Sequence, residues 1–225
     1  MEWLTGKPIT HRGLFDNVTI PENSIAAFEL AVKSGYPIEL DLQLLNDGHI
    51  AVFHDSSLLR MTGVNSSICS KDKDDLKTLR LLETGQSIPL LEEVLECVNG
   101  QVPLIIEIKN PLFPARFEFA LLKILKIYKG DFAVESFNPL TVLWMRIIAN
   151  KILRGQLSRS LFRANLYGKI TDPDFLAVDI TKLKYDQRKE SKKKIPVIGY
   201  TAKSQEEFTK AMEICDNVIF EGFQP

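Results

Sequence analysis

Short apolar runs alternate with longer amphipathic stretches along most of this chain, and this alternation restricts the possible folds more than any other feature. Most runs are rich in Ile, Val and Leu without strict alternation of apolar and polar residues, which is typical of strands buried on both faces of a parallel sheet. The predicted strands are Pro8–Thr10, Ile38–Leu42, Ile50–Phe53, Leu104–Ile108, Phe132–Glu135, Ile152–Gln156, Leu176–Ile180, Pro196–Tyr200 and Val218–Phe220.

The stretches between these strands have apolar residues at helical spacing. In the first, Ile25, Phe28 and Val32 share one face, polar residues precede it as caps, and Gly35 follows its end. The predicted helices are Ser24–Ser34, Leu90–Val98, Pro114–Lys129, Pro139–Asn150, Thr181–Lys194 and Ser204–Cys215.

About eight strands alternating with helices in 225 residues predict an α/β protein, a TIM (β/α)8 barrel of one domain that covers residues 1–225. An open doubly wound sheet is the alternative. The polar segment 63–87 is expected to be a small insertion with one short helix. The segment 158–173 is short for a strand and a helix, which allows for a barrel trimmed on that side.

Bulk properties exclude several classes of protein. A formal net charge of −1 gives no general attraction for nucleic acid or anionic membrane. The three cysteines lack zinc-ligand spacing, and the N-terminus lacks the pattern of a signal peptide. We expect a soluble, cytoplasmic protein with no nucleic-acid partner and no stable membrane insertion; the oligomeric state stays open.

Polar side chains stand at the ends of the predicted strands. His11 and Arg12 follow the first strand, and His54 follows the third. Glu39 and Asp41 alternate along the second, so their side chains share one face. Residues just past the carboxyl ends of barrel strands form the active face of a TIM barrel, so we expect these groups to meet there.

The fourth predicted strand repeats this alternation with Glu107 and Lys109. Charges in so apolar a strand are costly unless they are paired or bind a metal. Glu39, Asp41 and Glu107 would offer oxygen ligands only, which favours Mg²⁺ or Ca²⁺ over zinc. Alternatively, Glu39 and Asp41 are structural ion-pair partners of Arg12 or Lys109, although two carboxylates on one strand face repel unless a cation joins them.

These side chains together resemble the parts of a metal-assisted phosphoester hydrolase. Arg12 and Lys109 could hold the oxygens of a phosphate, while His11 and His54 could act as base and acid. We favour His11 as the base and His54 as the acid. The two histidines exchange these roles if a second step reverses the first. His49 follows a tight turn and is expected to be solvated.

The chain also resembles the glycerophosphodiester phosphodiesterase family across its first half. That resemblance implies a TIM barrel and the metal-dependent hydrolysis of glycerophosphodiesters to sn-glycerol 3-phosphate and an alcohol. The matching elements are His11-Arg12-Gly13, Pro21-Glu22-Asn23-Ser24, Glu39-Leu40-Asp41-Leu42-Gln43, Asp47-Gly48-His49, His54-Asp55 with Leu58, Arg60 and Thr62-Gly63, Ile88-Pro89-Leu90-Leu91-Glu92-Glu93, and Ile106-Glu107-Ile108-Lys109.

The resemblance also implies roles for individual residues. It implies acid and base roles for the two histidines, and it places Glu22 beside the metal and phosphate. Phe137 and Tyr200 become candidates for lining the substrate pocket, although each could equally pack the barrel rim. The roles are catalysis by His11 and His54, metal binding by Glu39, Asp41 and Glu107, and phosphate or substrate binding by Arg12, Glu22, Lys109, Phe137 and Tyr200.

Two positions depart from the family pattern and put substrate preference in question. Tyr200 stands where the family usually has tryptophan, and Glu221 stands near its usual Thr-Asp pair. One alternative is a lysophospholipase D or phospholipase C-like enzyme acting on a lipid. Exposed aromatic or leucine side chains in segment 63–87 would favour it, whereas the many charges of that segment argue against it. Another is an inactive protein that binds a phosphometabolite.

Overall fold

Eight parallel strands close into a barrel in the part of the chain that the structure, a computed structural model, describes: residues 2–109, 115–183 and 195–225. β1 pairs with both β9 and β2, which closes the sheet and rules out the open doubly wound alternative. β3 adds to the upper half of β2 in the antiparallel direction. The strands are β1 (Ile9–His11), β2 (Ile38–Leu44), β3 (Ile50–Val52), β4 (Leu104–Ile108), β5 (Phe132–Ser136), β6 (Leu153–Ser158), β7 (Phe175–Asp179), β8 (Val197–Ala202) and β9 (Asn217–Phe220).

All nine predicted strands are present, and the helices surround the barrel. Side-chain oxygens of Ser24, Asn138 and Ser204 cap helix starts, as their sequence positions indicate. The helices are α1 (Glu2–Gly6), α2 (Ile25–Ser34), α3 (Leu59–Thr62), α4 (Lys73–Leu76), α5 (Leu91–Val98), α6 (Arg116–Leu125), α7 (Pro139–Ile148), α8 (Leu161–Thr171) and α9 (Gln205–Met212). Of the helix predicted over Thr181–Lys194, the first residues form a 3₁₀ turn with Ile180, and 184–194 lie outside the described residues.

The barrel is not trimmed around 158–173, so that expectation is wrong. Ser160 follows β6 almost at once and caps α8 by accepting a hydrogen bond from the backbone N–H of Arg163. The connection is therefore only two residues long, which leaves room for a full helix. α8 buries few side chains, among them Leu161 and Ala164, and this short buried stripe explains why the apolar periodicity does not reveal it.

The insertion predicted over 63–87 is present and contains α4 as its short helix, with 3₁₀ turns at Ile68–Ser70 and Leu81–Glu83. Most of its apolar side chains face inward, and Val64 is exposed. Ile68, Leu76 and Leu81 are buried in a small core together with Leu45 and Phe53. The insertion thus packs against the end of β3 and shapes one side of the barrel mouth.

The barrel interior is layered. Ile9, Ile105, Ala133 and Phe175 fill its lower part, and Leu4 of α1 packs beneath them. Carboxylates occupy the layer above, at the carboxyl ends of the strands. No helix among the described residues is both long enough and apolar enough to cross a membrane.

Candidate active site

The carboxyl ends of β1, β2 and β4 bring His11 and the predicted metal ligands together. His11 lies opposite Glu39 in the β1–β2 register, and Asp41 lies opposite Glu107 in the β2–β4 register. Glu39 and Asp41 share the inner face of β2, as their spacing predicts, and Glu107 points into the same space from β4. Oxygen atoms of the three carboxylates lie within 4.8 Å of one another, and all three residues are buried.

Burial and mutual repulsion set the charge of these carboxylates. Burial raises the pKa of Glu39 well above its usual value, and the charge of Asp41 raises it further. Burial also raises the pKa of Glu107 to about 7, although Lys109 opposes the shift. Burial acts in the same direction on Asp41, but Lys109 and Arg12 outweigh it and hold the pKa of Asp41 well below its usual range.

The two predicted phosphate ligands are paired with carboxylates. The Nζ atom of Lys109 lies 3.0 Å from Oδ1 of Asp41 and 2.8 Å from Oε1 of Glu107. Nε of Arg12 lies 3.0 Å from Oδ2 of Asp41, and its Nη1 lies 2.7 Å from Oε1 of Glu22. The ion-pair alternative for Asp41 is therefore present in the structure, and the same cations border the space above the carboxylates.

The donor set fits a hard divalent cation. Besides the three clustered carboxylates, Asn23 Oδ1 and Glu135 Oε2 are buried oxygens that accept no hydrogen bond from the described residues. Asn23 donates to Oδ2 of Asp41 at 2.8 Å, and Glu135 lies opposite Glu107 in the β4–β5 register. Unpaired buried oxygens of this kind are what a bound cation satisfies.

Glu135 has no place among the residues that the sequence singles out. Burial and the charge of Glu107 raise its pKa well above the usual value. The available signal is its position, because Glu135 stands at the end of an apolar strand next to the one that carries Glu107. That position is equivalent to the one that marks Glu107 itself.

A tight turn after β1 places Arg12. Arg12 and Gly13 have φ values of 57° and 85°, in the left-handed region that favours glycine. A Cβ atom on Gly13 would lie 2.8 Å from the backbone carbon of Ala27, so the first turn of α2 also requires the absence of a side chain. The turn directs the Arg12 guanidinium back over the barrel, towards Glu22 and Asp41.

Glu22 forms ion pairs with two arginines, Arg12 and Arg60. Nη2 of Arg60 donates to Oε1 of Glu22 at 2.7 Å, and Nε of Arg60 donates to Asp55 at 2.6 Å. Burial would raise the pKa of Glu22, but Arg60 and Arg12 outweigh it and lower that pKa. Arg60 and Asp55 form part of the motif seen in the sequence, but only the structure shows that they link Glu22 to His54.

Each of the two predicted acid/base histidines donates through Nδ1 to a carboxylate. His54 donates to Oδ1 of Asp55 at 2.6 Å, and His11 donates to Oε2 of Glu221. Burial lowers the pKa of both imidazoles, and in His11 the bond to Glu221 opposes this shift. With Nδ1 bonded to a carboxylate, each ring has Nε2 left for proton transfer.

Glu221 contacts both His11 and Lys203, which its sequence position does not indicate. Burial raises its pKa, but the hydrogen bond from His11 and the charge of Lys203 lower the pKa of Glu221 to about 2. Lys203 Nζ lies 2.8 Å from Oε1 of Glu221. The residue that departs from the family pattern therefore orients one of the predicted catalytic histidines.

Phe137 and Tyr200 meet at the mouth, edge to face, with ring centroids 6.1 Å apart. The Tyr200 hydroxyl donates to the carbonyl of Ser158 at 3.0 Å. Beside this pair lies a cavity of about 1030 Å³, bordered by His54 and Lys109 at one end and by Phe117 and Phe137 elsewhere. His49 lies outside this group of residues. It is half-buried, and its Nδ1 lies 3.1 Å from Oδ2 of Asp47 across the turn.

Comparisons with known proteins agree with this geometry. The model of the "Glycerophosphoryl diester phosphodiesterase family" matches residues 11–217. A glycerophosphodiester phosphodiesterase of Caldanaerobacter subterraneus is 37% identical over 142 residues, which are 58% of this chain and 57% of that protein. One of Bacillus altitudinis is 41% identical over 116 residues, 48% of this chain and 46% of that protein. The chain thus spans about half the length of the curated relatives it matches.

A solved structure has the same fold. A phosphodiesterase of Oleispira antarctica, in complex with the product sn-glycerol-3-phosphate, superposes with a TM-score of 0.84 and 22% identity. The match covers 95% of this chain and 91% of the Oleispira chain.

Proposed function

Because the chain belongs to the glycerophosphoryl diester phosphodiesterase family, we propose that it hydrolyses glycerophosphodiesters to sn-glycerol 3-phosphate and an alcohol. One observation carries the proposal. Two imidazoles, each held by a carboxylate through Nδ1, stand beside a buried cluster of carboxylates and cations at the barrel mouth. Acid/base groups next to a cationic phosphate site are what the cleavage of a phosphodiester requires.

The histidines move the protons. Nε2 of His11 accepts the proton of the attacking oxygen, which belongs to water or to the 2-hydroxyl of the substrate's glycerol. His54 enters this step as the imidazolium, which its hydrogen bond to Asp55 stabilises. Its Nε2 gives that proton to the departing alkoxide, which is a poor leaving group without it. Glu221 and Asp55 keep the two rings oriented and stabilise the imidazolium form while it exists. The two histidines exchange roles if a second step reverses the first.

The cations hold the phosphate. Lys109 and Arg12 border the carboxylate cluster and can donate hydrogen bonds to the non-bridging oxygens of the phosphate. A divalent ion such as Mg²⁺ or Ca²⁺, held by Glu39, Asp41 and Glu107, would act as a Lewis acid that polarises the phosphate. Phe137 and Tyr200 supply an aromatic wall for the glycerol, and the cavity beside His54 has room for the alcohol.

The test measures glycerol 3-phosphate released from a panel of head-group diesters, with Mg²⁺, Ca²⁺ and chelator compared. We expect turnover that the chelator abolishes. The variants His11→Ala and His54→Ala should lose activity by a factor of about 10³ or more while circular dichroism stays native. Undiminished turnover of His11→Ala would contradict its role.

A second candidate is the hydrolysis of a lipid phosphodiester such as a lysophospholipid. The cavity favours it, because Ile108, Phe117 and Phe137 give its wall an apolar part. The insertion disfavours it, since Ile68, Leu76 and Leu81 pack inward and expose no continuous apolar surface. Hydrolysis rates of lysophosphatidylcholine and glycerophosphocholine, measured at equal concentration, distinguish the two candidate functions. Thermal stabilisation by glycerol 3-phosphate without any hydrolysis would instead indicate a binding protein.

A further inference from the structure

The outer face of α8 exposes an apolar stripe. Phe162, Leu166 and Ile170 are 74%, 49% and 63% exposed and follow each other at intervals of four residues. At 3.6 residues per turn, these three side chains span about 80° of the helix surface. A surface helix ordinarily has polar residues there, so this stripe calls for an explanation.

α7 continues the same surface. It buries Val142 and Met145 against the barrel, yet Leu140 and Ile147 are exposed on its outer side, the latter to 66%. Arg146 connects the two helices, because its Nη1 donates to the carbonyl of Ile170 at 3.3 Å. Exposed apolar residues of both helices thus form one surface, called here the α7–α8 face: Leu140, Ile147, Phe162, Leu166 and Ile170.

The charge around this face is predominantly positive. Arg146 pairs with Asp172 and Arg154 with Asp174, just beyond α8. On the helical wheel, Arg163 and Lys169 flank the apolar stripe, about 20° beyond each edge. From 139 to 171 the sequence contains no acidic residue and these basic ones: Arg146, Lys151, Arg154, Arg159, Arg163 and Lys169.

Four of these basic groups are available to a partner. Lys151, Arg159, Arg163 and Lys169 are exposed and have no ion-pair partner within residues 2–109, 115–183 and 195–225. The formal net charge of −1 hides this local excess, because the balancing acidic residues lie elsewhere in the chain.

We propose that the α7–α8 face docks reversibly on the surface of an anionic phospholipid membrane. Apolar side chains between basic ones are the pattern of a helix that lies in a membrane interface, where the apolar groups enter the acyl boundary and the cations meet the phosphates. A second copy of the chain is the poorer partner, because its identical face carries the same positive charge. Nucleic acid offers phosphates but nothing for the aliphatic stripe to enter.

Docking by this face would bring the barrel mouth to the membrane surface. α8 starts just after Ser158, whose carbonyl accepts the hydrogen bond of Tyr200 at the mouth. Phe162 lies in the first turn of α8, at this same end. The docking itself does not depend on the proposed hydrolase activity, and it involves none of the residues placed in the site.

The test is sedimentation with large unilamellar vesicles of phosphatidylcholine containing 30% phosphatidylglycerol, and with pure phosphatidylcholine, at low salt. The protein should sediment with the anionic vesicles only. Arg163→Glu with Lys169→Glu should weaken binding at least about tenfold through charge reversal. Phe162→Ser with Leu166→Ser should weaken it about tenfold without a change of charge.

The matched controls lie away from the face. The charge control is Lys33→Glu with Lys73→Glu, which reverses two exposed charges; Lys33 lies in the last turn of its helix, as Lys169 does. The apolar control is Ile127→Ser, which removes an exposed apolar side chain elsewhere. These should bind like the wild type, and all variants should keep native circular dichroism and unchanged turnover of glycerophosphocholine. Three results would overturn the proposal: no sedimentation with anionic vesicles, binding to single-stranded nucleic acid instead, or full binding by the Phe162/Leu166 variant.

Discussion

Glu221, directly after the last barrel strand, accepts a hydrogen bond from Nδ1 of His11, at the end of the first. Closure of the barrel makes this contact, because β9 pairs with β1 and aligns their carboxyl ends. The bond leaves Nε2 of His11 directed to the site, 3.9 Å from Oε2 of Glu39. Orientation of this kind is what a general base needs.

Glu221→Gln is therefore expected to lower kcat by a factor of about 10 to 100, since the amide no longer stabilises the imidazolium form of His11. Lys203→Met is the matched control. It removes the other charged partner of Glu221, but its side chain is largely exposed and it should change kcat little. Steady-state kinetics with glycerophosphocholine measure both, and a Glu221→Gln enzyme with wild-type kcat would refute the role.

Metal binding should depend on pH near neutrality. Burial raises the pKa of Glu107 to about 7, so a cation must compete there with a proton. We expect the affinity for Mg²⁺ or Ca²⁺ to rise as the pH is raised from 6 to 8, with protons released on binding. Titration calorimetry in two buffers of different ionisation enthalpy measures both effects. Glu107→Gln should remove most of the affinity and the proton release, and a pH-independent affinity would contradict the prediction.

Gly13→Ala is expected to destabilise the protein by about 2 kcal/mol or more, because the new Cβ both strains a left-handed backbone and meets the start of α2. Displacement of Arg12 should also raise KM. Gly85→Ala is the control, since its φ is not left-handed and a Cβ there has no atom within 4 Å. Chemical denaturation compares the two, and equal midpoints would show that the turn tolerates a side chain.

Acid should destabilise the fold through Glu22. Its folded-state pKa lies below the ordinary 4.5, so the charged form stabilises the protein above about pH 4.5, and this contribution is lost as the pH falls towards the folded-state value. Glu22→Gln should be less stable by about 1–3 kcal/mol at pH 7. Its stability should also fall less steeply between pH 5 and pH 3.

The measurement is urea denaturation across that pH range. Glu92→Gln, at an exposed carboxylate, should follow the wild-type profile. A Glu22→Gln profile parallel to that of the wild type would show that the pairing with Arg12 and Arg60 contributes nothing to acid stability.

Prediction from sequence succeeded where a local pattern has one structural outcome. The strand runs and the caps at Ser24 and Ser204 depend on neighbours a few residues away. Glu39 and Asp41 both point into the barrel for a similar local reason. Successive side chains of a strand point to opposite faces, so residues two positions apart share one face. α8 escaped prediction because its buried stripe is short and its longer apolar stripe faces outward.

The sequence by itself determined the barrel, the strand ends that carry the site and the family of the chain, because periodicity and short motifs are local properties. Only the tertiary structure decided the partners. Asp55 and Arg60 connect His54 to Glu22, Glu135 joins the carboxylate layer, and Glu221 holds His11. These contacts join residues up to 210 positions apart, and strand register and barrel closure, which no local pattern encodes, bring them together.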